Sequence, residues 1–287
     1  MTRCGVVALA GKPNVGKSTL LNALVGEHLA IVSPKPQSTR RPVVGHVTRA
    51  DTQFIFTDSP GLLEPEYKLH EAMRAAALRA IEDAEVIAYL HPLPEFPAPP
   101  LREVAKLDRA PRAPIVTVYT KADLASTSPR DLPQPPPTSS VVVSALTGAG
   151  LDALLDTLRG QLPESPFHYD PEAMATQPMR FFAAEFVREA AFELLHEELP
   201  YSVAVEIDEF RESQEPVYIR AVVYVERTSQ KGIVIGEGGR TIKAIGQTAR
   251  AKIEALLGVR VFLELHAKVL PKWRRQLASL KRLGYAG

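Results

Sequence analysis

In the first half of the chain apolar residues cluster in short runs, within 6–10, 52–57, 85–90, 114–119 and 139–143. Runs of this length without alternation are those of strands buried on both faces of a parallel sheet. Between them lie segments with apolar residues at helical spacing, over 19–25, 67–84, 101–107 and 151–162. Strands and helices taken in turn predict an α/β domain with a doubly wound, mostly parallel sheet. The period then changes. Residues 181–198 keep helical spacing, 202–210 and 217–225 alternate as a strand pair, and helical segments lead to a last strand at 261–265. That order predicts a smaller α+β domain. From Gln161 the chain is rich in proline (Pro163, Pro166, Pro171, Pro178) and reads as a connection. The expected division is a first domain over 1–165, a linker over 166–178 and a second domain over 179–287.

The first strand runs directly into Gly11-Lys12-Pro13-Asn14-Val15-Gly16-Lys17-Ser18, followed by Thr19 and a helix that Gly26 closes. This fits the phosphate-binding loop G-x-x-x-x-G-K-[ST], with a strand before it and a helix after it, as the chemistry needs. Such a loop aims backbone N–H groups and the positive end of a helix dipole at an anion. Lys17 would reach the terminal phosphates, and the Ser18 hydroxyl would ligate Mg²⁺. A bare glycine-rich turn would match the fixed residues only by chance and would not carry both flanks.

The next stretch, 27–44, holds Pro34, Pro36 and Pro42 and reads as a loop beside the phosphate site. Thr39 lies within it. Its hydroxyl could complete the shell of the Mg²⁺ ion and its N–H could touch a γ-phosphate, so that loss of the phosphate releases the loop. The strand at 52–57 ends in Asp58-Ser59-Pro60-Gly61. Asp58 is placed to hold Mg²⁺ through water, and Gly61, lacking a side chain, lets its N–H approach the γ-phosphate. With D-x-x-G as a third motif, the chain resembles the small regulatory GTPases. Leu62 stands where Ras-like proteins have a water-orienting glutamine, and leucine offers no hydrogen bond.

At the end of the 114–119 run stands Thr120-Lys121-Ala122-Asp123. A carboxylate can accept from both N1–H and the 2-amino group of guanine, and adenine offers neither, so Asp123 would select the base. Lys121 would cover the base with its aliphatic stem. Thr120 replaces the asparagine usual in N-K-x-D, which weakens the expected tie back to the phosphate loop. Ser144-Ala145-Leu146 follows the 139–143 run and completes the guanine-reading set.

The second domain carries Gly236-Glu237-Gly238-Gly239, between two helical segments, with Lys231 before it and Arg240 and Lys243 after it. A G-x-x-G loop leading into an amphipathic helix is the core of a KH RNA-binding module, and the order helix–strand–strand–helix–helix–strand is that of type II. From residue 227 onward there are thirteen basic residues against three acidic ones. Lys272 and Trp273 lie in this segment. The tryptophan could stack a base or pack into the domain.

Taken together these motifs cover essentially the whole chain, which is identified as a member of the Era family, GTPases with a C-terminal type II KH domain. The resemblance implies slow, K⁺-stimulated GTP hydrolysis, with Mg²⁺ held by Ser18, Thr39 and Asp58 and K⁺ helped by Asn14. It implies Lys17, Thr39 and Gly61 as the catalytic groups. It further implies binding to the 3′ end of 16S rRNA and to the 30S subunit during small-subunit maturation, as a monomer in the cytoplasm. Peripheral association with a membrane stays open. A scaffold that binds RNA and GTP without useful turnover is the alternative.

Composition changes this picture little. The chain has 287 residues, 45% hydrophobic and 23% charged, with a net charge of +1. The whole is therefore near neutral while its second domain is strongly dipolar. One cysteine, Cys4, excludes a disulfide scaffold and suits a reducing compartment. No apolar stretch reaches membrane-spanning length.

Overall fold

The computed structural model describes residues 1–125 and 140–286. The proline-rich loop over 129–137 and Ser139, the expected start of a strand, lie outside the described residues. The chain divides into two compact units. The first comprises Met1–Ala30, Thr39–Glu64 and Met73–Thr176; the second comprises Ile31–Ser38, Pro65–Ala72 and Gln177–Gly287. Residues 166–176, read as linker, thus group with the first unit. Two short segments from the proline-rich 27–44 loop and from the stretch after Gly61 group with the second.

In the first unit the elements are β1 (Arg3–Ala10), α1 (Lys17–Val25), β2 (Val43–Arg49), β3 (Thr52–Asp58), α2 (Lys68–Glu82), β4 (Val86–Pro92), α3 (Leu101–Ala105), β5 (Ile115–Thr120), β6 (Ser140–Val142) and α4 (Leu151–Arg159). The first turn of α2 belongs to the second unit by the division above. Six strands form one sheet in the order β2-β3-β1-β4-β5-β6. All neighbouring pairs are parallel except β2 and β3, which form an antiparallel hairpin. The apolar runs have the expected cause: Val7, Ala8 and Leu9 in β1 and Val86, Ile87 and Ala88 in β4 are fully buried. α1 ends where Gly26 takes a left-handed φ of 83° and its N–H returns to the Asn22 carbonyl, a closure that a side chain would strain.

In the second unit the elements are α5 (Met179–Leu194), α6 (Leu199–Ser202), β7 (Ala204–Arg211), β8 (Val217–Val225), α7 (Thr228–Ile235), α8 (Arg240–Leu257), β9 (Val261–Val269) and α9 (Leu277–Arg282). β8 is central, antiparallel to β7 and parallel to β9. This is the helix–strand–strand–helix–helix–strand order expected of a type II KH module, with the short α6 inserted before β7 and a further C-terminal helix. α5 runs through the core, and every residue from 182 to 192 is buried. Three of those residues are charged: Glu185, Arg188 and Glu189.

Candidate functional site

The phosphate loop connects β1 to α1. Gly11 has a φ of 152°, and a Cβ there would meet the Leu90 carbonyl oxygen at 2.6 Å, so only glycine fits. Gly16, at φ 99°, caps the N-terminus of α1. Lys17 is 6% exposed, and its ammonium donates to the carbonyls of Lys12 (2.9 Å) and Gly11 (3.4 Å) across the loop. Burial pushes its pKa down to about 8, against the opposing attraction of the Asp58 carboxylate. A phosphate in the loop would favour the charged form and raise that value again. Nucleotide affinity should therefore be independent of this group below about pH 8. Above it, binding must take up a proton, and affinity should fall by up to tenfold per unit. Calorimetry at pH 9 in buffers of different ionisation heat should show close to one proton taken up by wild type and none by Lys17→Met.

Thr120 answers the doubt raised by its replacing asparagine. Its hydroxyl, buried at the end of β5, donates to the Val15 carbonyl at 2.6 Å. The tie from the end of β5 to the phosphate loop is therefore made by a hydroxyl in place of an amide.

Three oxygen-bearing side chains meet beside Lys17. Ser18 Oγ donates to Asp58 Oδ2 at 2.6 Å, Thr39 Oγ1 lies 3.3 Å from the same oxygen, and the two hydroxyls are 2.9 Å apart. Asp58 is fully buried, desolvation raises its pKa, and its Oδ1 has no hydrogen-bond partner. Hard oxygen donors that include a buried, half-satisfied carboxylate fit Mg²⁺. Among the described residues no group of three or more His, Cys, Asp or Glu side chains forms a metal cluster. The candidate donors here are hydroxyls and one carboxylate.

Gly61 is buried against the loop, where a Cβ would meet the Pro13 nitrogen at 2.6 Å. The Leu62 N–H donates to the Gly11 carbonyl at 2.9 Å. Its side chain is 5% exposed and lies in an apolar cluster with Ala77, Ile81, Ile87, Tyr89 and Leu101. Leucine at this position is thus a core residue, which explains its type without any catalytic duty.

β5 and β6 are neighbours, so the segments that follow them come together. Lys121 has a left-handed backbone (φ 58°), and the exposed Asp123 accepts a hydrogen bond from Ser144 Oγ through Oδ1 at 2.5 Å. Ser144 is buried, while Leu146 is 77% exposed. Asn14 is exposed on the loop with φ 62°, a conformation asparagine adopts more readily than most residues. Thr19, in the first turn of α1, is half-buried.

In the second unit the G-x-x-G segment, Gly236 to Gly239, leads into α8. Gly238 (φ 58°) and Gly239 (φ 79°) have left-handed backbones, and a Cβ on either would meet nothing within 4 Å. Glu237 pairs with Arg240 at 3.3 Å, and both are well exposed. A groove of about 310 Å³ opens between α8 (Ile242, Lys243, Gly246, Gln247, Arg250) and β9 (Leu263, Leu265). Sequence reasoning named Lys243 alone of these. The signal for the others was present, since 243, 247 and 250 share one helical face. Lys231 is half-buried, and Lys272 is exposed.

Trp273 is corrected. It is 0% exposed, its indole N–H donates to the Ser202 carbonyl at 2.9 Å, and it stacks on Tyr285 at 5.6 Å between centroids. A ring with both faces taken up in the core cannot stack a base. Tyr285 is itself buried.

A phosphate loop, a buried hydroxyl–carboxylate cluster and a base-reading pair on a sheet of this order define a P-loop GTPase, joined in one chain to a KH module. The family model described as a 50S ribosome-binding GTPase matches residues 6–121, and the KH domain model matches residues 198–274. GTPase Era from Carboxydothermus hydrogenoformans and from Geobacter metallireducens are each 38% identical to the chain, over 99% of it and 98% of the relative. Among solved structures, an alanine variant of Aquifex aeolicus Era bound to GDP and AlF4− matches with a TM-score of 0.93 and 38% identity, covering both chains fully. An Era in complex with MgGDPNP and nucleotides 1506–1542 of 16S ribosomal RNA matches with a TM-score of 0.91 and 37% identity, again over both whole chains. The chain belongs to the Era family of GTPases.

Proposed function

We propose that this chain is a guanine-nucleotide switch that hydrolyses GTP slowly and binds the 3′ segment of 16S rRNA through its KH module, assisting maturation of the small ribosomal subunit. The observation that carries the reading is the meeting of Ser18, Thr39 and Asp58 beside the buried Lys17, in a chain that also carries a G-x-x-G loop leading into α8 and a groove between α8 and β9. The relative solved with MgGDPNP and a 16S rRNA segment supports the choice of both ligands.

In this reading residues 11–19 cradle the phosphates, with Lys12, Pro13 and Val15 contributing backbone and Lys17 its charge. Mg²⁺, held by Ser18, Thr39 and Asp58, neutralises charge on the phosphates when bound. Gly61, packed against Pro13 where no side chain would fit, would offer its N–H to a γ-phosphate. Thr120, Lys121, Asp123, Ser144, Ala145 and Leu146 hold the base. Lys231, Gly236, Glu237, Gly238, Gly239, Arg240, Lys243 and Lys272 line the RNA path. The protein acts as a cytoplasmic monomer on the 30S subunit. No helix among the described residues is long and apolar enough to cross a membrane, and any membrane contact is peripheral.

Hydrolysis cannot use Leu62 to orient water, so the rate is low and another positive charge is needed near the transferring phosphoryl group. Asn14, exposed on the loop itself, carries an amide oxygen, the class of donor K⁺ takes. Multiple-turnover phosphate release should rise when Na⁺ is replaced by K⁺, and Asn14→Ala should lose the rise while keeping most of its GDP affinity. Equal rates in the two salts would remove the K⁺ site. Absence of turnover in both would favour the alternative, a scaffold that binds RNA and GTP only.

A further inference from the structure

Within the second unit, the strap Ile31–Ser38 is fastened along α5 at three points. The Val32 N–H donates to Glu189 Oε1 at 3.1 Å. The Lys35 ammonium donates to the Leu195 carbonyl at 2.7 Å and to the Phe192 carbonyl, where α5 ends. Arg188 Nη2 donates to the Ser38 carbonyl at 2.5 Å, and the same guanidinium pairs with Glu185. Arg188 is 0% exposed and Glu189 is 1% exposed. Burying a guanidinium costs several kcal/mol, and an apolar pair of similar volume would usually serve the core as well or better. Packing alone does not account for these charges on α5.

The peptide unit is planar and trans, so the Ser38 carbonyl and the Thr39 N–H are parts of one rigid plate pointing in opposite directions. A donor that fixes the Ser38 oxygen also fixes the direction of the Thr39 N–H. We propose that Arg188 is a positioning residue of the GTPase reaction: by holding the Ser38 carbonyl it sets the orientation in which the Thr39 N–H and hydroxyl meet the γ-phosphate and its metal ion. This rests on the proposed GTPase function of the same site.

Lys35 and Glu189 hold the remainder of the strap in support of that orientation. Glu189 does so while its other oxygen, Oε2, pairs at 2.9 Å with Lys252 on α8, the helix that follows the G-x-x-G loop.

Glu185 is buried and pairs with Arg188, so the test removes both charges together, in Glu185→Met/Arg188→Met. Lys35→Met provides a milder second variant that buries no charge. For the double variant, kcat for GTP hydrolysis should fall about tenfold or more, as misplacement of a reacting group by a fraction of an ångström to an ångström does. GDP affinity should stay within about twofold of wild type, while affinity for a non-hydrolysable GTP analogue falls, because GDP has no γ-phosphate for Thr39 to meet. A purely structural role would move the melting temperature and both nucleotide affinities together. If the double variant does not fold, Lys35→Met is read alone, with a fall in kcat of about threefold or more expected and the same split between analogue and GDP. An unchanged kcat and an unchanged analogue-to-GDP ratio in a folded variant would overturn the inference. Wild type with no turnover would overturn the proposed function, and this inference with it.

Discussion

Asp123→Asn is expected to lower affinity for GTP and GDP by about a hundredfold or more while creating affinity for xanthosine nucleotides. In the proposed site the carboxylate would accept from both guanine N1–H and the 2-amino group. An amide in its place turns an NH₂ toward that amino group, donor against donor, and leaves two desolvated groups unpaired. Xanthine has a 2-oxo group there, which accepts from the amide. The hydrogen bond from Ser144 Oγ to Asp123 Oδ1 helps, because an amide oxygen can keep that donor and leave its NH₂ for the base. Asp123 is exposed and Ser144 is already buried, so the substitution changes recognition and not the core. Competition titrations of wild type and variant with GDP, XDP and ADP read the result directly. Equal affinity of wild type for guanine and adenine nucleotides would contradict the assignment.

Gly238→Asp is expected to abolish RNA binding and any RNA-dependent stimulation of hydrolysis while leaving GDP affinity intact. Its backbone has a left-handed φ of 58°, which aspartate tolerates better than most residues, and an added Cβ meets nothing within 4 Å. The cost to folding is therefore small. The new charge sits at the turn before the N-terminus of α8, where a phosphate must approach, and it repels that phosphate. Gly238→Asn, which adds similar bulk without charge, should lose much less. Filter binding of a 3′ rRNA oligonucleotide at two salt concentrations separates the two substitutions, since the loss caused by charge should shrink as salt rises. A Gly238→Asp protein with unchanged RNA affinity would remove the G-x-x-G loop from the RNA path.

Most of the nucleotide site was legible in the sequence because its chemistry is local. A phosphate loop needs its glycines, lysine and hydroxyl at fixed separations, so Gly11, Gly16, Lys17 and Ser18 announce the strand before them and the helix after them. Thr39 and Asp58 were found because a loop and a strand end lead back to that loop. Alternating strands and helices announced a mostly parallel sheet, but β2 (Val43–Arg49) was not among the runs the pattern marked. What could not be read depends on three-dimensional contact. Nothing in the pattern around Trp273 distinguishes a stacking ring from a core ring, and the Ser202 carbonyl that takes its N–H is 71 positions away. The replacement of asparagine by Thr120 looked like a weakened tie until the Val15 carbonyl was found within reach of its hydroxyl. The fastening of residues 31–38 to α5 was equally hidden. Arg188 and Glu189 sit in a helix whose apolar spacing says only that it is buried, and charges inside such a helix carry no address for the backbone groups they bind.

If the chain is a nucleotide switch on RNA, nucleotide state and RNA binding are coupled. A ligand can bias a conformational equilibrium only by its differential affinity for the two states, and the coupling is reciprocal. The decisive measurement is a titration of a single-stranded 16S rRNA 3′ oligonucleotide into the full-length protein, once saturated with GDP and once with a non-hydrolysable GTP analogue, at one fixed salt concentration. The analogue-bound protein should hold the oligonucleotide more tightly by about 5–150-fold, corresponding to a coupling of about 1–3 kcal/mol, and the oligonucleotide should strengthen analogue binding by the same factor. A single RNA affinity in both nucleotide states would contradict the account and leave the KH module as a tether.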